Sequence, residues 1–248
     1  MIFRLLIFFI LSVSLAFGTQ KKAIFDVEYG FLKELGVAQA SLDSDSKTYT
    51  IRIYAEASGI AKFLSRNRQE VYTSTGYIQN GQFVPTRFIQ QKNYSDKLEL
   101  TTYTFDHKIK KVVKQKEKFE DNKLISKSVE PLEYYADNDI LTLYFNIAEN
   151  LKAIKTGEHR IYYAVGANPK DGKVDVIAPS GDKLSKMKSY IGGGSDDRHL
   201  VVIINQKIFQ SDNGELYILF DRAGETKKAV LKDVIFFGDI RGIARLKS

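Results

Sequence analysis

The nine residues YTIRIYAEA, 49–57, alternate without a break. Tyr49, Ile51, Ile53, Ala55 and Ala57 fall on one side, Thr50, Arg52, Tyr54 and Glu56 on the other. Period-two alternation rich in β-branched and aromatic residues fits a half-buried strand. The same period returns in VYTSTGYIQNGQFVPTRF, 71–88, where Asn80-Gly81 interrupts it. Asn-Gly tolerates positive φ at both central positions of a type I′ turn, so the stretch predicts a hairpin. Phe83 and Phe88 give the return strand side chains to bury. Gly76 in mid-strand predicts a bulge that curves the sheet. Pro85 cannot donate to a central ladder and predicts an edge or a strand end.

Further strand-like runs follow: LELTTYTFD (98–106), KIKKVVKQKEKFE (108–120), and HRIYYAVG, GKVDVIAP, HLVVIINQKIF and GELYILFDR in the second half. Asp171-Gly172 and Asn213-Gly214 lie between such runs and mark tight turns. Two stretches have helical spacing. SGIAKFLSR, 58–66, is short. In DNDILTLYFNIAENLKAI, 137–154, Ile140, Leu143, Tyr144, Ile147, Leu151 and Ile154 form a stripe, with Asp137 or Asp139 as the cap. Thr142, Asn146, Glu149 and Asn150 make the opposite, polar side, which lacks the Lys and Arg of a membrane-surface helix. The expected fold is mainly β: a curved, mostly antiparallel sheet, or a half-open barrel or sandwich, with one or two packed helices.

MIFRLLIFFILSVSLAFG opens the chain with one early charge, Arg4, an apolar run from Leu5 to Phe17, and small residues at Ala16 and Gly18. This is the three-part pattern of a secretory signal peptide, with cleavage expected after Gly18. The run is short for a membrane span, which takes about 20 residues. Residues 19–248 then form one β-rich domain, with 133–139 as the place where it would subdivide. The chain has no Cys, so the exported protein has neither disulfides nor a lipid-bearing cysteine. The net charge is +7, and the two signs are mixed along most of the chain. A basic chain can meet nucleic acid, anionic lipid or polysaccharide. Export argues against nucleic acid and for the periplasm.

Several of these pieces together resemble one family. FDVEYGFLKELGVAQASL gives an aromatic-rich strand and a Gly-centred turn. YTIRIYAEASGIAKFLSRNRQEVYTSTGYIQNGQFVPTRF, DILTLYFNI and LYILFDRAGETKKAVLKDVIFFGDIRGIARL follow in that order. They resemble the DUF3108 family of exported bacterial proteins of unknown function. The resemblance implies a secreted, mostly antiparallel sheet of the kind compared with curved-sheet envelope lipid carriers. It carries no agreed activity and no catalytic residues. The spacing of Lys33, Glu34 and Leu35 departs from the pattern and predicts a longer loop at that edge.

The most site-like stretch is YIGGGSDDRHLVV, 190–202. Three glycines can cradle an anion, and Ser195, Asp196, Asp197 and His199 are chemically able groups. The loop lacks the Gly-Lys-Ser/Thr of a phosphate-binding loop, and a triad needs its members held in one geometry. The competing reading is a soluble connection between strands. His107, His159 and His199 match no zinc spacing, so neither a metal nor a cofactor is expected. In 108–118, strand geometry would put Lys108, Lys110, Val112, Lys114, Lys116 and Lys118 on one face. That face reads as a solvated edge, with Lys110, Lys114 and Lys116 as contacts for anionic lipid or glycan if the protein meets a membrane peripherally. The 16 Phe and 14 Tyr would let a concave sheet hold an acyl chain or, more plainly, fill a core. The expected function is therefore a non-enzymatic periplasmic envelope protein that binds a lipid-like ligand or a protein partner. The alternatives are an envelope glycan or lipid hydrolase built on the 192–199 loop, and a structural or assembly factor.

Overall fold

A computed structural model describes residues 19–29, 32–59, 62, 66–204, 214–234 and 238–245. The leader at 1–18, most of the 58–66 stretch and Asn213 lie outside the described residues. Fifteen strands form one sheet. In chain order they are β1 (Thr19–Tyr29), β2 (Leu32–Ser44), β3 (Thr48–Ala57), β4 (Gln69–Gln79), β5 (Gln82–Tyr94), β6 (Lys97–Asp106), β7 (Lys111–Glu120) and β8 (Lys123–Pro131). Then come β9 (Asn138–Asp139), helix α1 (Ile140–Glu149), a 3₁₀ turn (Leu151–Ala153), β10 (His159–Val165), β11 (Lys173–Ile177) and helix α2 (Gly181–Ile191). The last strands are β12 (Arg198–Ile204), β13 (Glu215–Phe220), β14 (Thr226–Val234) and β15 (Gly238–Ala244).

The topology is two antiparallel meanders, β1 to β8 and β10 to β15, joined where β1 pairs with β15. The exception to antiparallel pairing is β9, which lies parallel to β10. The free ends of the sheet, β8 and β9, are therefore neighbours in sequence. If the sheet of 15 strands were flat, its ends would stand roughly 65 Å apart at the usual strand spacing. The chain from Pro131 to Asn138 reaches at most about 25 Å. So the sheet must curl. β9 and α1 come to rest against β4 and β5, and β6–β8 continue past that meeting as an arm. The sheet is not closed into a barrel.

The alternation in 49–57 is realised in full: Tyr49, Ile51, Ile53, Ala55 and Ala57 are all buried on the inner face of β3. Phe25 and Val27 of β1, Ala38, Ala40 and Leu42 of β2, and Phe83 and Phe88 of β5 join the same core. Asn80 and Gly81 have φ of 52° and 74°, as a type I′ turn requires. The bulge falls at Gly76, but its additional residue is Thr86 on the partner strand. A Cβ at Gly76 would stand 2.0 Å from the Val84 carbonyl oxygen. β5 is an inner strand, yet at Pro85 itself it is paired only with β4, so the expected edge is met locally. The proline is tolerated because the ladder to β6 begins only at Arg87, and the Pro85 carbonyl instead accepts from His107 Nε2 at 2.6 Å. Lys33, Glu34 and Leu35 do not lengthen a loop. They belong to β2, opposite Glu28, where the register slips between Val27 and Tyr29.

α1 also departs from its expected amphipathic form. It lies inside the curl and is buried nearly all round, including Thr142 at 0% exposure. Its polar residues work locally. Asp139 is the N-cap, accepting from the Leu141 and Thr142 amides at 2.8 and 3.0 Å, while Thr142 Oγ1 accepts from the Asp139 amide. Asn146 meets Phe83 as a neighbouring strand would: its Oδ1 accepts from the Phe83 amide at 2.9 Å and its Nδ2 donates to the Phe83 carbonyl at 3.0 Å. The polar segment 181–191, not among the expected elements, is helical. As α2 it packs Met187 and Ile191 on Leu219 and Val230, forming a small second core.

Candidate functional site

Three places carry chemistry: the 192–199 loop, the buried cap of α1, and the arm. In the loop, Gly192 and Gly193 take φ of 86° and 115°. A Cβ at Gly193 would stand 2.8 Å from the His199 ring, so glycine is required there. His199 is buried, and its Nε2 donates to the Gly192 carbonyl at 2.8 Å. Asp197 Oδ2 accepts from the Gly194 amide at 2.8 Å and from Lys227 Nζ at 2.9 Å. The Gly194 amide, with Lys227 beside it, holds the Asp197 carboxyl below the usual range. Ser195 and Asp196 are exposed, and no hydrogen bond links Ser195 to His199 or Asp197. His199 and Asp197 thus spend their bonds on Gly192, Gly194 and Lys227. Among the described residues no three His, Asp or Glu side chains converge as a metal set, and His159 pairs instead with Asp175 at 2.7 Å.

At the cap of α1, Ser74 Oγ donates to Asp139 Oδ2 at 2.5 Å and lies 3.1 Å from the Tyr49 hydroxyl. Burial pushes the Asp139 carboxyl up to about 6, against the lowering pull of these hydrogen bonds. This network ties α1 to β3 and β4 and has no opening to solvent, since Asp139 and Ser74 are both at 0% exposure. The apolar space beside it, lined by Ile53, Leu141, Tyr144, Val202 and Phe220 among others, measures about 40 Å³. That is room for about one water, far less than an acyl chain needs. Here α1 itself fills the concave side of the sheet.

The arm sorts its side chains by register. On the inner side one row runs Phe88, Tyr103, Lys114, Glu130; the next runs Gln90, Thr101, Lys116, Ser128; the third runs Lys92, Glu99, Lys118, Ser126. Lys114 and Lys116 therefore do share a face. Lys110 does not join them: it stands in the turn before β7 with φ of 51°, and Lys108 is in the same turn. Lys114 Nζ donates to Glu130 at 2.8 Å, and Lys118 lies 3.6 Å from Glu99. The Lys114 ammonium beside Lys116 holds the Lys116 pKa down. Two of the three lysines on this face, Lys114 and Lys118, are thus stitched to acidic partners on the neighbouring strands.

The outer side of the arm and its last strand went unnoticed in the sequence. All nine residues of β8 are exposed. Of the seven large hydrophobic residues exposed among the described residues, five belong to the arm: Ile109, Val113, Leu124, Ile125 and Val129. Val129 and Leu124 flank Lys127, which pairs with Glu117 on β7 at 3.1 Å. The signal was present in KLISKSVEP as three apolar residues. It was unreadable because nothing local says that this strand ends the sheet.

An open, curled antiparallel sheet folded around one buried helix defines the class of protein. The model of the DUF3108 family, "protein of unknown function", matches residues 24–241, and the chain belongs to that family. No curated protein matches. Among solved structures the chain is similar to the crystal structure of a "beta-barrel-like protein of domain of unknown function DUF1849" from Brucella abortus. The identity is 12%, the TM-score 0.47, and the match covers 93% of this chain and 97% of that one.

Proposed function

We propose that this chain is an exported, non-enzymatic envelope protein that works by holding a protein partner at the β8 end of its sheet. The observation that carries this reading is the arm. A nine-residue terminal strand exposed along its whole length, with most of the exposed large apolar side chains of the described residues gathered on or beside it, is costly to leave bare. The alternatives have less support. A lipid carrier needs room that α1 takes up, and a hydrolase on the 192–199 loop needs Ser195 and His199 to meet. Export rests on the leader pattern of residues 1–18.

Site-specific photocrosslinking in the envelope tests the reading. A photoreactive residue at Val129 or Ile125 is expected to trap one discrete protein, while the same residue at the exposed Lys186 on α2 traps none. Equal or absent crosslinking from the two places removes the proposal. Stoichiometric lipid in an organic extract of gently purified protein would replace it with the carrier reading.

A further inference from the structure

The arm is laced by opposite charges facing each other across neighbouring strands. β6 meets β7 through Lys97–Glu120 at 3.1 Å and Glu99–Lys118 at 3.6 Å. β7 meets β8 through Glu117–Lys127 at 3.1 Å and Lys114–Glu130 at 2.8 Å. Each of these four pairs sets one sign against the other across neighbouring strands. The pairs end at β8, which carries Lys127 on its outer side and Glu130 and, at its start, Lys123 on its inner side, all exposed, with no strand beyond it among the described residues. On the outer side Lys127 lies between Val129 and Leu124.

We infer that the partner adds an extended segment to the free edge of β8, with an acidic residue opposite Lys127, apolar residues facing Val129 and Leu124, and a basic residue on the other side facing Glu130. The inference rests on the reading that the β8 end is the binding end. Strand addition fits because the edge offers backbone groups for affinity and alternate side chains for choice. A second copy of this chain fits worse. Pairing the whole of β8 with its counterpart sets Lys127 against Lys127, and like charges directly opposite each other repel. In an antiparallel segment the base precedes the acid by three residues, because Lys127 and Glu130 lie on opposite sides of β8 and cross-strand neighbours share a side.

The experiment titrates the full mature chain with synthetic peptides and follows backbone amide shifts by NMR. The first peptide is nine residues of alternating Val and Thr with Glu at the centre and Lys three residues before it. The second exchanges the two charges, and the third is the first with N-methylated amides. The first peptide is expected to shift the amides of 123–131 and to bind about tenfold more tightly than the second, with each charge pair contributing a fewfold. The double variant Lys127→Gln, Glu130→Gln, altered only at exposed side chains, is expected to bind both alike. No shift at 123–131 overturns the inference. Equal binding of the N-methylated peptide overturns strand addition, while crosslinks from Val129 would still stand for the binding end. Equal binding of the charge-exchanged peptide overturns the partner chemistry. Shifts at 123–131 that grow with protein concentration alone identify a second copy as the occupant and overturn it as well.

Discussion

Replacing Asp139 with Asn turns the buried cap of α1 into a measurement. The Asp139 carboxyl is fully buried and titrates at about 6, raised by burial from an ordinary 3.8. A raised acid favours the fold while it is protonated. Its contribution is complete below the unfolded value and is lost as pH rises through the folded one. Between pH 4 and pH 7.5, ionisation of this one group therefore costs the native state on the order of 2–3 kcal/mol. Asn stays neutral, and its Oδ1 can still accept from the Leu141 and Thr142 amides while Nδ2 donates to Ser74. The assay is urea unfolding of both proteins at each pH, with the two stabilities subtracted so that all other titrations cancel. D139N is expected to gain on the parent by that amount as pH rises. A difference that stays flat from pH 4 to 7.5 would refute the reasoning, because the carboxylate would then ionise as easily in the fold as in water. Asp139→Ala serves as the contrast, losing the cap at every pH, a cost of about 1 kcal/mol or more.

Asn146→Ala leaves the amide and carbonyl of Phe83 without their partners, and denaturation should show a loss of about 2–4 kcal/mol. Gly76→Ala forces a Cβ into the Val84 carbonyl, and a loss of roughly 3 kcal/mol or a failure to fold is expected. Gly81→Ala meets open space but keeps a φ of 74°, so its loss should stop near about 1–2 kcal/mol. Met187→Ala empties part of the small core under α2. Hydrogen exchange should quicken across 181–191 while β3 and β4 keep their protection.

The strands were legible because one side of each meets the core and the other does not, and β3 shows that in five residues. The 71–88 hairpin was legible because Asn80 and Gly81 can take positive φ. What the sequence concealed was long-range. Pro85 reads as an edge, and only the pairing shows that this edge is local to an inner strand whose ladder to β6 starts two residues later. α2 concealed itself because Leu184, Met187, Tyr190 and Ile191 are the few apolar residues in a run of Lys, Ser and Asp, too few to outweigh its polarity. The loop residues Ser195, Asp197 and His199 were visible as types, but their bonds to Gly194, Lys227 and Gly192 depend on the fold. Lys114 and Lys116 were visible too. The exposure of Val129 was not, because the end of a sheet is a property of the whole topology.

The pairing of β1 with β15 also decides when the protein can finish folding. Asp26 and Arg245, 219 residues apart, form an ion pair at 2.6 Å, and the Arg245 amide donates to the Ile24 carbonyl. Contacts this distant in sequence must overcome a large closure entropy and form slowly. β1 is thus among the last strands to gain both neighbours. Until β15 arrives, it is a bare edge next to a growing sheet, able to pair with whatever strand is near. A circular permutant that joins the region of Thr19 to that of Arg245 and opens the chain in the 132–137 link would turn this slowest contact into a local hairpin.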